Sequence, residues 1–205
     1  MKKLLLILLG IAVFSPEMAL AEKCVYQVDP GSLQVNWTAF KTMQKVAVKG
    51  GFTELTVFGD LESASLAGLL DQLEAEIDIK NEGLIRTGNP GRDLTLFQHF
   101  FSLFKARPLM KGRIQKTRGS ESDGDFTLEL VMNRKTRTVP MKYSYGAGVF
   151  EASGSIDVLE FALDGPLKEL NRTCEALHRG PDGVSKTWPT VDLRLVARIG
   201  KSCTP

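Results

Sequence analysis

Over most of the chain apolar and polar residues alternate one for one. Leu33, Val35, Trp37 and Ala39 interleave with Gln34, Asn36 and Thr38, and Val46 and Val48 with Ala47 and Lys49. A break at Gly50-Gly51 follows, and a further strand is expected from Phe52. The same rhythm returns in Leu73 to Ile79, Phe126 to Met132, Val139 to Tyr145 and Val191 to Ile199. A period of two belongs to strands with one face buried. About eight such segments, joined by short Gly-, Asp- and Asn-rich turns, predict an all-β chain built on an antiparallel sheet. Closure into an eight-stranded β-barrel is the common way for so many strands to avoid exposed edges. Phe40, Phe52 and Val131 add apolar groups on the second face, which calls for helical cover or a lined interior.

Two segments break the rhythm. Residues 87–104 read TGNPGRDLTLFQHFFSLF. Asp93 is placed to cap a helix start, after which positions 93, 97, 100, 101 and 104 share one helical face. That face carries Phe97, Phe100, Phe101 and Phe104, and two readings fit it: a plug in the core, or a lid on an apolar cavity. The second segment runs from Pro166 to His178, with Leu167, Leu170, Cys174 and Leu177 at helical spacing. Pro166 suits its first turn and Arg179-Gly180 its end. The result is a barrel with two short helices, near the size at which side chains either fill the interior or surround one ligand.

The first 21 residues read as an export signal: Lys2 and Lys3, an apolar run from Leu4 to Phe14, and Ala19-Leu20-Ala21 as the cleavage site. The run falls short of the ~20 residues that span a bilayer, and no later segment looks transmembrane. Cys24 follows Ala21-Glu22-Lys23 rather than the small residues that precede a lipid-modified cysteine. Residues 22–205 then form one domain in a periplasmic or secreted protein. Removing Lys2, Lys3 and Glu17 lowers the formal net charge of +2 by one. Such a balanced chain lacks the basic face of a nucleic-acid binder; Arg134-Lys135-Thr136-Arg137 reads as a solvated hairpin turn.

In an oxidising compartment three cysteines allow one bridge and one leftover. Cys24 precedes the first strand and Cys203 follows the last, and in a closed barrel those strands are neighbours. Cys24–Cys203 is the preferred pairing, worth roughly 4 kcal/mol or somewhat more by loop entropy, with Cys174 buried and free; linkage of Cys174 to either terminus is the alternative.

Catalytic chemistry is thinly represented. His99 reads as a polar position on the aromatic helix, and His178 as a solvated cap at a helix C-terminus. Cys174 and His178, one turn apart, are candidates for an activated thiol or two metal ligands, but two ligands alone make a poor zinc site. Nucleophile-elbow, zincin and phosphate-loop patterns are absent. Arg92 and Asp93 are explained by a cap and its ion pair. No enzyme, metal or cofactor is expected.

Tyr26-Gln27-Val28-Asp29-Pro30, VNWTAFKT (35–42) and VKGGFTEL (48–55) resemble the opening of YceI-like proteins. TGNPGRD with its trailing Phe pair resembles that family's central signature, LELVMNRKTRTVPMKY (128–143) its late hairpin, and residues 170–195 a C-terminal variant of exported members. The resemblance implies a lipocalin-like antiparallel barrel that encloses an isoprenoid or fatty chain in an apolar tunnel, in a periplasmic binding protein rather than an enzyme. Many members carry a histidine after the VDP motif; here Gly31-Ser32-Leu33 stand there, so a head-group contact from that residue does not carry over.

A long chain of this kind is held by buried apolar area, which requires large soft side chains and few polar ones. Trp37, Phe40, Phe52, Phe97, Phe100, Phe101, Phe104, Met110, Met132 and Met141 are the candidates, about half of them expected to touch ligand and the rest to pack. Arg92 and Lys41 are the candidates for a polar or anionic head group. The alternative is a non-catalytic structural or stress-response interaction protein with a filled barrel, and a homodimer is left open.

Overall fold

A computed structural model describes residues 22–105 and 107–204; the expected signal peptide lies outside them. The strands are β1 (Lys23–Lys41), β2 (Val46–Phe52), β3 (Thr56–Phe58), β4 (Glu62–Ser63), β5 (Glu74–Asp78), β6 (Ile85–Arg86), β7 (Leu109–Gly119), β8 (Asp123–Met132), β9 (Lys135–Gly146), β10 (Val149–Asp157) and β11 (Thr187–Thr204). They form one antiparallel sheet in the order β3-β5-β7-β8-β9-β10-β11-β1-β2-β6, with β4 beside β1. Of the eight strands of five or more residues, the alternation marks β1, β2, β5, β8, β9 and β11; β7 and β10 lie outside its segments, and β3, β4 and β6 are short additions. The sheet curls into a half-barrel, and among the described residues no ladder joins its two ends, β3 and β6.

The first and last strands are longer than the alternation suggests and pair along almost their whole length, from Lys23 opposite Thr204 to Lys41 opposite Thr187. Asp29-Pro30-Gly31-Ser32 forms an irregularity within β1, where the register shifts between Asp29 and Gln34. Asp29 Oδ1 accepts from the Gly31 N–H at 3.1 Å. Ser32 Oγ donates to the Asp29 carbonyl at 2.6 Å and accepts from the Arg198 N–H at 2.7 Å. A bulge lets the strand pass through Pro30, which has no N–H for the ladder. The same alignment sets Cys24 opposite Cys203, and the two are joined by a disulfide with Cα atoms 4.0 Å apart.

The expected break at Gly50-Gly51 is also strand: β2 runs through it, with Gly50 opposite Trp37. A Cβ on Gly50 would lie 2.2 Å from the Trp37 ring. Glycine there is room for an indole laid across the neighbouring strand, not a signal to stop. The β8–β9 hairpin turns on Asn133 and Arg134, both at positive φ, as a tight two-residue hairpin requires. The buried Asn133 side chain donates to the Phe161 and Ala162 carbonyls at 2.9 and 3.2 Å and accepts from the Lys105 N–H at 2.7 Å. One amide so ties the hairpin to two loops.

Helix α1 (Leu66–Leu70) is an element the period-two reading misses. Ser65 caps it by accepting from the Gly68 N–H, and Leu66, Leu69 and Leu70 are buried. Five residues are too few for a visible helical period, although the serine and the i, i+3, i+4 leucines are its signature. Helix α2 (Pro90–His99) corrects the cap: Asn89 accepts from the Arg92 N–H at 3.0 Å, and Pro90 opens the helix. Asp93 instead accepts from the Thr87 N–H and hydroxyl at 3.0 and 2.5 Å, pinning the preceding turn. The second expected helix is two, α3 (Asp164–Thr173) and α4 (Glu175–His178), broken at Cys174.

Two cores result. The first gathers Tyr26, Leu69, Leu70, Phe126, Met141, Tyr143, Phe150 and Ile199, with α1 packed into it. The second gathers Trp37, Phe52, Ile77, Ile79, Phe101, Phe104, Met132, Phe161 and Leu163 under α2 and α3.

Candidate functional site

Between the two cores lies a cavity of about 210 Å³. Its walls come from alternate residues of the long strands: Val35, Trp37 and Ala39 of β1, Ala75 and Ile77 of β5, Met110, Gly112 and Ile114 of β7, and Leu193, Leu195 and Ala197 of β11. Leu96, Phe100 and Phe101 from α2 and the turn after it, with Leu167 and Leu170 from α3, close the side. Polar side-chain atoms among the lining residues belong to Glu74, Lys111, Thr187 and the two tryptophans.

Of the residues expected to touch a ligand, Trp37, Phe52, Phe100, Phe101, Met110 and Met132 line this cavity. The others lie elsewhere. Phe40 is on the outer face of β1 opposite Ala47, since its neighbour Ala39 faces inward. Met141 is fully buried in the first core, in the space that a side chain on Gly154 would need. Phe97 and Phe104 pack against the second core without reaching the cavity. Arg92 is exposed in the first turn of α2.

The aromatic segment is not one continuous helix. Phe100 ends α2 with φ −136° and ψ −66°, and a 3₁₀ turn follows over Phe101–Leu103. The change of direction drives Phe101 down against Phe52, ring centroids 6.1 Å apart and edge to face, while Phe100 and Phe104 stand at 5.2 and 5.6 Å from it. Such T-shaped pairs suit the ring quadrupoles. Beside this cluster α2 is shallowly seated: it has no buried residue, and Leu96 and Phe100 are only partly covered. His99 ties α2 to α3, its Nδ1 3.3 Å from Glu169 Oε1 and from Thr173 Oγ1. Glu169 is held down to about 2, first by its hydrogen bonds from the Arg172 guanidinium and then by His99.

One end of the cavity is polar. Thr187, which lines it, sits opposite Lys41 at the end of the β1–β11 ladder. Thr187 Oγ1 donates to Asn171 Oδ1 at 2.8 Å and stands 2.7 Å from His178 Nδ1. Because the threonine proton goes to Asn171, Nδ1 of His178 must supply the other one. His178 is half-buried rather than a solvated cap, and burial, followed by the Lys41 charge, pushes its pKa down and favours the neutral ring. Cys174 is partly buried and its thiol is pushed up by burial, against the smaller opposing pull of Lys41. A nucleophilic thiol needs the reverse shift. Among the described residues, the grouping with metal-ligand proximity is Glu22 with Cys24 and Cys203, whose sulfurs are already joined to each other.

The family model for the YceI-like domain matches residues 26–195. The chain belongs to the YceI-like family. Members of that family bind hydrophobic ligands. Among solved structures, BcnA of Burkholderia cenocepacia is similar at 15% identity and a TM-score of 0.55, covering 84% of this chain and 99% of its own. A Campylobacter jejuni YceI protein is similar at 19% identity and a TM-score of 0.48, covering 81% of this chain and 90% of its own. No curated protein sequence matches. The BcnA likeness shows the fold. Among the described residues no helix is long and apolar enough to cross a membrane.

Sequence reasoning sought large, soft side chains and so missed the small ones that make the hollow. Ala39, Ala75, Gly112 and Ala197 all line the cavity. Their signal was present, as small residues in the inward phase of otherwise bulky strands. Trp188, Leu96 and Leu167 were missed because they belong to a strand end and to helix faces that only the fold directs inward.

Proposed function

We propose that this protein is an exported, non-catalytic carrier or store that holds the apolar chain of an isoprenoid or fatty amphiphile in the cavity between its two cores. The observation that carries this reading is the wall chemistry: aliphatic and aromatic surfaces from eight strands and three helices, with almost no hydrogen-bonding side chains. Such a wall rewards each methylene buried by ~0.8 kcal/mol and offers nothing to a polar substrate. Trp37, Phe52, Phe100, Phe101, Met110 and Met132 are the contact residues in this reading. Lys41 and Thr187 meet the head group, and Arg92, far along the exposed first turn of α2, has no part in it.

The present volume of about 210 Å³ is below the ~300 Å³ at which ordinary ligand pockets begin, so a long chain enters only where the wall yields. Helix α2, without a buried residue of its own, is that wall. Phe101 and Phe104 stay as the hinge-side plug, and Leu96 and Phe100 swing with the lid. The export part of the reading rests on the residue 1–21 signal and on the disulfide, which persists in an oxidising compartment.

Native mass spectrometry of protein purified from the compartment it reaches, with organic extraction, is the test. The expected result is a mature mass beginning at Glu22 and a co-purifying lipid, or uptake of a fluorescent polyprenyl probe. A clean apo mass together with no probe uptake favours the filled, structural barrel instead.

A further inference from the structure

Around the polar end of the cavity, two segments distant in sequence meet. The Thr42 N–H donates to the Lys186 carbonyl at 2.8 Å, the Trp188 indole N–H donates to the Thr42 carbonyl at 2.7 Å, and the Lys186 N–H donates to the His178 carbonyl at 3.1 Å. The β1–β2 hairpin tip and the loop between α4 and β11 therefore present one surface. That surface is unusually apolar for exposed loops: Met43, Val46, Leu177 and Val184 are 46%, 47%, 70% and 49% exposed.

It is also basic. The hairpin from Lys41 to Gly51 carries Lys41, Lys45 and Lys49 and no acid. On the facing loop are Arg179 and Lys186 with Asp182, and Glu175 of α4 is taken by Arg179. Asp182 is turned back on its own loop, accepting from the Val184 N–H at 3.0 Å. Lys45 and Lys186 stand over the Trp188 ring, 4.6 and 5.2 Å from its centroid. Trp188 is only partly buried and its other side lines the cavity. Scattered exposed apolar residues alone mean little. Apolar tips, a half-exposed tryptophan and lysines unmatched by acids, gathered at one end of an apolar cavity, have the composition of an interfacial membrane anchor.

We propose that this end of the half-barrel docks on an anionic lipid surface, with Met43, Val46, Leu177 and Val184 entering the headgroup layer and Lys45 and Lys186 pairing with lipid phosphates. Docking there sets the polar end of the cavity against the bilayer, so that an apolar chain passes between the two without crossing water. Surface-bound lysines are each worth ~1 kcal/mol, so losing two weakens binding about 30-fold and reversing them weakens it further.

The experiment uses the full mature chain and vesicles of phosphatidylcholine with and without phosphatidylglycerol. Wild-type protein is expected to float with the anionic vesicles at low salt, to be released by added salt, and to show a blue shift in emission. Trp188 is the reporter, because the only other tryptophan, Trp37, is already buried. K45E/K186E is expected to bind at least ~30-fold more weakly, and M43S/V184S to bind without the blue shift. The four positions, three exposed and Lys186 partly buried, lie outside the cavity walls, so the fold and probe uptake stay intact. Failure of the wild type to float at any salt, or equal flotation of both variants, overturns the proposal. So does a dimer in sedimentation velocity that M43S/V184S dissolves, since the surface would then serve a second copy of the chain. Vesicle binding and polyprenyl uptake are read separately, so loss of one does not decide the other.

Discussion

The two cores of this half-barrel are made of similar residues and do different things. In the first, Phe126, Tyr143 and Phe150 lie ring against ring with centroids 5.7–6.4 Å apart, Met141 lies where Gly154 has no side chain, and α1 drives three leucines into what space remains. In the second, Trp37, Phe52 and Phe101 are as aromatic, but where it meets the first the strands turn Ala39, Ala75, Gly112 and Ala197 inward, and Leu70 and Phe150 of the first core face the hollow from the other side. A packed core and an apolar cavity differ here in the size of a few inward residues, not in hydrophobicity. That is the expected consequence of interiors packed to crystal-like density: any shortfall in side-chain volume remains as space.

The strongest way to separate the two regions is at the seam beside the first core. Cys24 packs against that core and bridges to Cys203 across a separation of 179 residues. C24S/C203S is expected to lower stability by about 4–5 kcal/mol, read by denaturant unfolding, while a polyprenyl probe still binds the protein that remains folded. Next comes Phe126→Ala, fully buried at 2% exposure, which should cost about 3–5 kcal/mol with probe affinity nearly unchanged. Loss of probe uptake in either variant at temperatures where it is folded would show that the two cores are not separable.

The converse variant is Ala75→Phe. It adds volume where there is room, so its stability change should stay below ~1.5 kcal/mol, whereas probe uptake should fall at least ~10-fold because the new ring occupies the tunnel. A large stability loss with normal uptake would place Ala75 in packed core and move the cavity elsewhere.

The smallest effect expected is electrostatic and confined to the polar end of the second region. His178 has its pKa pushed below the ordinary 6.5 by burial, so the unfolded chain binds its proton first as pH falls. Stability from this group is therefore fully present above pH 6.5 and declines as pH drops from there toward the lowered folded value. His178→Gln should flatten that decline in unfolding curves between neutral and mildly acidic pH, and leave Phe126→Ala and wild type otherwise parallel.

Much of the half-barrel is legible in the chain. Alternation in Leu33–Ala39, Phe126–Met132 and Val191–Ile199 comes from backbone geometry that sends successive side chains to opposite faces, so six of the eight main strands and the partnership of Cys24 with Cys203 follow from local pattern and order, while β7 and β10 do not announce themselves in this way. Where the reading slipped, a residue's role was set by a neighbour across the sheet. Gly50 looks like a stop and is clearance for Trp37; Asp93 looks like a cap and pins Thr87 while Asn89 does the capping.

For the site, the chain alone determined that aromatic and methionine residues would gather around an apolar interior, and that this interior would come from one phase of long strands. Which of them face a hollow was decided by tertiary structure. Phe40 and Ala39 differ by one position and so by a whole face of the sheet, Phe100 and Phe104 are separated by a turn from α-helix to 3₁₀, and Met141 is buried where Met132 lines the cavity. Packing and ligand contact favour the same side chains. Only the size of the facing neighbours, large around Phe126 and Met141 and small where Ala39, Ala75, Gly112 and Ala197 turn inward, distinguishes a residue that fills space from one that surrounds it.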